Sequence, residues 1–175
     1  MAVMQRWVEP VISFQKLRAS FRLYVRYLAD WSRYKKLPCA ELLQLKDSYP
    51  CLFDRTEGTP YDPHYFYQAV WAMRRIAASQ TTRHVDIGSD VRFVGMLTTH
   101  THVTFIDVRP LKVDLTRFSS VAGSIASLPL RDASITSLSC LHVVEHVGLG
   151  RYGDQLDPLG TRRACKELAR VMAPG

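Results

Sequence analysis

Between Phe14 and Trp31 apolar side chains recur at helical spacing: Phe14, Leu17, Phe21, Tyr24, Leu28 and Trp31. Three- and four-residue steps line one side of a helix. Arg18, Arg22, Arg26, Arg33, Lys35 and Lys36 make much of the remainder basic, and Pro10 suits the start of such a helix, where its missing N–H is no loss. A polar, turn-rich connector from Asp54 to Pro63 leads to a second helical pattern, His64 to Ile76, carrying Tyr65, Phe66, Val70, Trp71 and Met73. The period then changes. His84 to Ile87 is short, apolar and β-branched enough for a buried parallel strand, Gly88 follows as a turn, and Val103 to Ile106 forms a second strand ending at Asp107. Ile135, Leu138, Cys140 and Leu141 belong to an apolar run short enough for one buried strand, read as the fourth of the sheet. A last helix spans Thr161 to Val171, with Ala164, Leu168 and Val171 on one side and Arg162, Arg163, Lys166 and Arg170 elsewhere; Ala173-Pro174-Gly175 ends it.

Strand, glycine turn, helix, strand and terminal acid, in the order HVDIGSDVRFVGMLTTHTHVTFID, build the first half of a nucleotide-type site. The turn offers backbone N–H groups to a ligand, while an acid past the second strand accepts hydrogen bonds from two ribose hydroxyls. A full fingerprint has three glycines. Here Ser89, Asp90 and Arg92 occupy most of the positions after Gly88, so an ordinary strand-to-helix connection is the competing reading.

VDIG, Asp107, LPLRDASITSLSCLHVVEH and KELARVMAPG, in that order and spacing, resemble four successive motifs of the class I S-adenosylmethionine-dependent methyltransferases. The likeness is closest to the methyltransferase-like domain of unknown function 268 family. It extends through DRTEGTPYDPHYFYQAVWAMRRI and HVVEHVGLGRYGDQLDP and covers roughly Asp47 to Gly175. The resemblance implies an α/β, Rossmann-like class I methyltransferase fold that stops after the fourth strand, with residues 1–46 as a helical N-terminal extension and 47–175 as the partial domain. It implies S-adenosyl-L-methionine as cofactor. Asp86, Gly88 and Ser89 would hold its methionine part, Asp107 its ribose, and Ser124 and Ile125 its adenine. Leu141 and His142 would lie where substrate and methyl donor meet. Asp90 stands in place of the second glycine and would repel the cofactor's carboxylate unless a cation such as Arg92 intervenes. A sheet ending at its fourth strand would leave an edge open to pairing, and so to a homo-oligomer.

His142-Val143-Val144-Glu145-His146 also spells the inverted zinc-protease motif. That chemistry needs a continuous helix and a third ligand, and no distal acid is marked, so no metal is expected. His142, Glu145 and His146 are instead the catalytic candidates for methyl transfer. An imidazole can take a proton from an oxygen or nitrogen nucleophile near neutral pH. A bracing role in the loop is the alternative for each. In the glycine-rich stretch that follows, Arg151 and Asp154 suit a polar acceptor and Tyr152 a sugar or aromatic ring, although glycines there also serve simply as turns.

Composition narrows the partners. The net charge of +7 is concentrated in the N-terminal helix and scattered arginines, without a recognisable nucleic-acid module, so no specific nucleic acid is expected. Cys39, Cys51, Cys140 and Cys165 lack paired metal spacing and read as free buried thiols in a reducing compartment, so a cytoplasmic location is expected. No apolar run reaches the ~18 residues needed to cross a bilayer. The basic, aromatic N-terminal helix either docks its stripe on the domain or lies on an anionic membrane surface as a peripheral contact. Two functions follow. One is a methyltransferase acting on a small polar, saccharide or other glycan-type acceptor. The other is a non-catalytic methyltransferase-like binding or assembly module.

Overall fold

The computed structural model describes residues 14–174, so the Pro10 helix start lies outside the described residues. Two compact units are present, one ending at Pro60 and one beginning at Tyr61; the division falls past the boundary at residue 46 read from the sequence. In the first unit, helix α1 spans Phe14–Tyr34, and a 3₁₀ turn covers Leu45–Asp47. Ser20 and Ser32 donate their hydroxyls back to the Lys16 and Leu28 carbonyls, the local bond by which serine is tolerated inside a helix. No helix among the described residues is long and apolar enough to cross a membrane.

The second unit opens with α2, Pro63–Ser79. Asp62 caps it by accepting the His64 and Tyr65 N–H groups at 2.9 and 3.2 Å, and Pro63 sits at the first turn, where no N–H is needed. Next come β1 (Arg83–Ile87), α3 (Val91–Leu97), β2 (His102–Asp107), β3 (Phe118–Ala122), β4 (Leu138–Ser139) and α4 (Gly160–Val171). Among the described residues the strands form one all-parallel sheet in the order β3-β2-β1-β4. The architecture is therefore α/β and Rossmann-like.

Both faces of the sheet are covered, as parallel sheets require. Val85 and Ile87 of β1 join Ile106, Ile125, Leu128, Ala164 and Val171 in one core. Val103 and Phe105 of β2 join Ala72, Phe93, Val94 and Leu97 in another, which brings α2 and α3 to that face. Because the chain winds outward from β1 to β3 and then returns to the other side of β1, strand order reverses between β1 and β4. In open α/β sheets ligands bind beyond the carboxyl ends of the strands at that reversal.

Two elements differ from the sequence reading. β3, with the sequence FSSVA, gave no strand signal, because its serines dilute the apolar pattern at a sheet edge. β4 is only two residues long instead of running from Ile135 to Leu141. Upstream, Ile135 bridges in parallel to Met172, and its carbonyl accepts the Ala173 N–H at 2.9 Å. The outer edge of this segment is thus paired at Ile135. Downstream, the chain leaves the ladder and turns through His142, at φ 57°.

Candidate functional site

Beyond the carboxyl ends of β1 and β2 lies an open cleft. Its floor is the turn after β1. Gly88 has φ +66°, a conformation in which an L side chain is strained, and a Cβ there would come within 3.2 Å of Asp107 Oδ2. Asp107, at the end of β2, uses its other oxygen, Oδ1, to accept the Arg109 N–H at 2.7 Å, with Arg109 Nε 3.7 Å away. Among the described residues no donor reaches Oδ2. The chain leaves β3 at Gly123, whose N–H donates to the Asp107 carbonyl, so Ser124 and Ile125 follow directly into the cleft wall.

Asp86 and Ser89 lie beneath this surface, at 0% and 4% exposure. Asp86 accepts the Ser89 N–H at 3.0 Å and the Ser139 hydroxyl, while the Ser89 hydroxyl accepts the Leu141 N–H at 3.0 Å. These bonds tie the Gly88 turn to the segment following β4. Their part is to shape the turn rather than to line the cleft. Burial pushes the Asp86 carboxyl up to about 6, against the lowering effect of the Ser139 and Ser89 hydrogen bonds, and the nearby Asp107 charge raises it further. His84, one pleat earlier on the same face, hydrogen-bonds Ser137 and Ser139 at 2.7 and 2.8 Å, and burial lowers it to about 4.

Asp90 caps α3. Its carboxylate accepts the Arg92 and Phe93 N–H groups and a two-pronged contact from the Arg92 guanidinium at 3.1 and 3.0 Å. The Arg92 bonds, opposed by partial burial, hold it below the usual carboxylate range. Asp90 therefore already has its cation.

The opposite wall comes from the segment after β4. His142 and His146 both line the cleft. The Tyr65 ring stacks on His142 at 3.7 Å and 19°, the His64 ring meets it edge-on at 4.8 Å, and Glu145 Oε1 lies 3.9 Å from its Nδ1. His142 Nε2 is buried without a hydrogen-bond partner. On its other side a second open pocket is bounded by Tyr65, Phe66, Met96, Leu141, Asp90 and Arg92. His142 is the partition between the two spaces.

The zinc-protease arrangement is not formed. His142 is left-handed, and only Val144–His146 coil, as a single 3₁₀ turn, so the two histidines do not share a helix face. Glu145 is half exposed and stands 3.9 Å from both imidazoles, outside the lining of the cleft. His146 meets the Arg151 guanidinium at 3.2 Å.

Tyr152 and Asp154 reach the cleft; Arg151 does not line it. Two guanidinium groups lie over the Tyr152 ring, Arg109 at 4.5 Å and Arg151 at 5.2 Å from its centre. Asp154 gathers the N–H groups of Gly148, Tyr152 and Gly150 at 2.7, 3.2 and 3.4 Å. Burial raises this carboxyl, but those bonds outweigh it and leave it below the ordinary range. Its first task is to fold its own loop. Arg109, two residues beyond Asp107, is a cleft residue that carried no periodic or motif signal. No protein-family model, curated protein or solved structure matches the chain.

Proposed function

We propose that the second unit binds S-adenosyl-L-methionine in the Gly88–Asp107 cleft and acts as a class I methyltransferase on a small polar or saccharide-type acceptor. The observation that carries this reading is the gap between the Gly88 turn and the Asp107 carboxylate, at the ends of adjacent parallel strands beside the strand-order reversal. A Cβ on Gly88 would fill that gap, and Asp107 Oδ2 is free among the described residues to take a ribose hydroxyl. Ser124 and the apolar Ile125 suit the edge and face of a purine, and Arg92 removes the repulsion that Asp90 would otherwise exert on a carboxylate. The residues present therefore fit the cofactor, which when bound supplies an electrophilic methyl group on sulfur.

The chain's own contribution is alignment and proton removal. An acceptor entering the same cleft would meet the methyl group directly, with His146 and His142 in the cleft wall to take its proton. Tyr65, stacked on the His142 ring, restricts its rotation. The alternative, a non-catalytic methyltransferase-like binding or assembly module, is favoured by one observation: His142 Nε2 is sealed from solvent.

Ligand class is tested by thermal unfolding with S-adenosylhomocysteine, NAD and ATP in parallel. A ligand at a hundred times its Kd stabilises the fold by about 2.7 kcal/mol, so selective stabilisation by S-adenosylhomocysteine is expected, and equal or greater stabilisation by NAD or ATP contradicts the reading. Gly88→Ala is expected to weaken S-adenosylhomocysteine by ~10-fold or more, because a strained alanine adds a methyl group against Asp107. Unchanged affinity in the folded variant would mean that the turn does not touch the ligand.

A further inference from the structure

We infer that α1 is a membrane-surface helix that lies along anionic lipid with its aromatic stripe inserted among the acyl chains. The inference is independent of the cleft. Around the axis, at ~100° per residue, Phe14, Leu17, Phe21, Tyr24, Val25 and Leu28 share an arc of roughly 100°. Each is 47–76% exposed. Leu23, Tyr27 and Trp31, on the neighbouring arc, are half-buried, and Lys16 on that side stands over the Phe53 ring at 5.8 Å. The unit's own packing therefore uses the neighbouring arc and, among the described residues, leaves the larger aromatic and aliphatic stripe uncovered.

Charge identifies the occupant. The helix carries five basic side chains and one acid, and Asp30 is already paired with Arg33 at 3.5 Å. Arg18 borders the apolar arc on one flank, Arg22 and Arg26 continue round the helix from it, and Lys35 and Lys36 follow the helix end. Guanidinium groups beside an apolar stripe reach lipid phosphates while their stems stay in the interface. A helix of 21 residues is about 31 Å long, comparable to the thickness of a bilayer core, yet charge at every turn prevents it from spanning. It fits the plane of the surface instead.

The test is co-sedimentation of the full chain with phosphatidylcholine–phosphatidylserine vesicles and with pure phosphatidylcholine vesicles. Binding at least ~10-fold tighter to the anionic vesicles is expected, and it should weaken at high salt as the screening length shrinks. Arg18→Gln and Arg22→Gln should each lower affinity by ~5-fold, and Phe21→Glu with Leu28→Glu should abolish it without lowering the melting temperature. Three results would overturn the inference. The folded chain ignores anionic vesicles; the double glutamate variant binds as the parent does; or that variant melts early or dissolves a dimer seen by light scattering, which would show the stripe covered by protein.

Discussion

Asp86→Asn is expected to make the second unit acid-sensitive, with about 3 kcal/mol of stability lost as pH falls from 6.5 towards 4, where the parent is nearly flat. The parent is flat because two opposite linkages cancel. Burial raises Asp86 to about 6, so its contribution is present below the ordinary carboxyl range and lost as pH rises through 6. Burial lowers His84 to about 4, so its contribution is present above the ordinary imidazole value and lost as pH falls through 4. Between those limits the folded pair holds one proton, on Asp86, and the unfolded pair holds one, on His84. No net proton is taken up on unfolding. Asparagine removes the acid and leaves the histidine linkage uncompensated.

The variant should still fold, because the hydrogen-bond chain can reverse. With Asp86 ionised, the Ser139 hydroxyl donates to it and accepts from His84 Nε2, while Ser137 donates to Nδ1. An asparagine amide would donate to Ser139, which would then donate to Nε2, with Nδ1–H turned to Ser137. Urea unfolding of both proteins at several pH values measures the slopes. Equal slopes in the two proteins would show that the two groups are not linked as described.

Gly148→Ala is expected to remove about 3 kcal/mol or more from the same unit, roughly 10 °C in melting temperature. Gly148 has φ +83°, and an added Cβ would lie 2.1 Å from the Asp157 carbonyl oxygen and 3.3 Å from Gly160 Cα. Both obstacles are backbone. The Asp157 N–H also donates to the Gly148 carbonyl at 2.9 Å, so the loop cannot yield locally without losing that bond. Gly153→Ala is the control. It shares the positive φ, at +86°, but has open space where its Cβ would go, so it should cost only the conformational strain of about 1 kcal/mol. Similar melting temperatures for the two variants would mean that the close approach is unimportant.

The strand-turn-helix-strand unit from β1 to β2 was legible in the sequence because buried parallel strands are short apolar runs and the turn needed a glycine. β3 was not, since a half-polar edge strand has no distinctive period. The apolar run to Leu141 concealed the end of β4. Where a ladder stops depends on partners far away in sequence, here Met172 at Ile135, and on the turn at His142. Gly88, Asp107, Ser124, Ile125, His142, His146, Tyr152 and Asp154 come together in one cleft. Motif reading could not separate these from Asp86 and Ser89, which sit one layer down, because depth is set by the elements stacked above. Nor could it see that three backbone N–H groups occupy Asp154, or that Arg109 lies over Tyr152.

The proposed function rests on Asp107 and the Gly88 turn holding a ribosyl cofactor. Calorimetric titration of the whole chain with S-adenosylhomocysteine, repeated on Asp107→Ala, tests it most directly. Saturable binding is expected for the parent and a loss of ~10-fold or more for the variant, since a hydrogen bond to a charged acceptor contributes about 1.5–3 kcal/mol. Absence of heat from a folded parent, or equal affinity in the variant, would contradict the account.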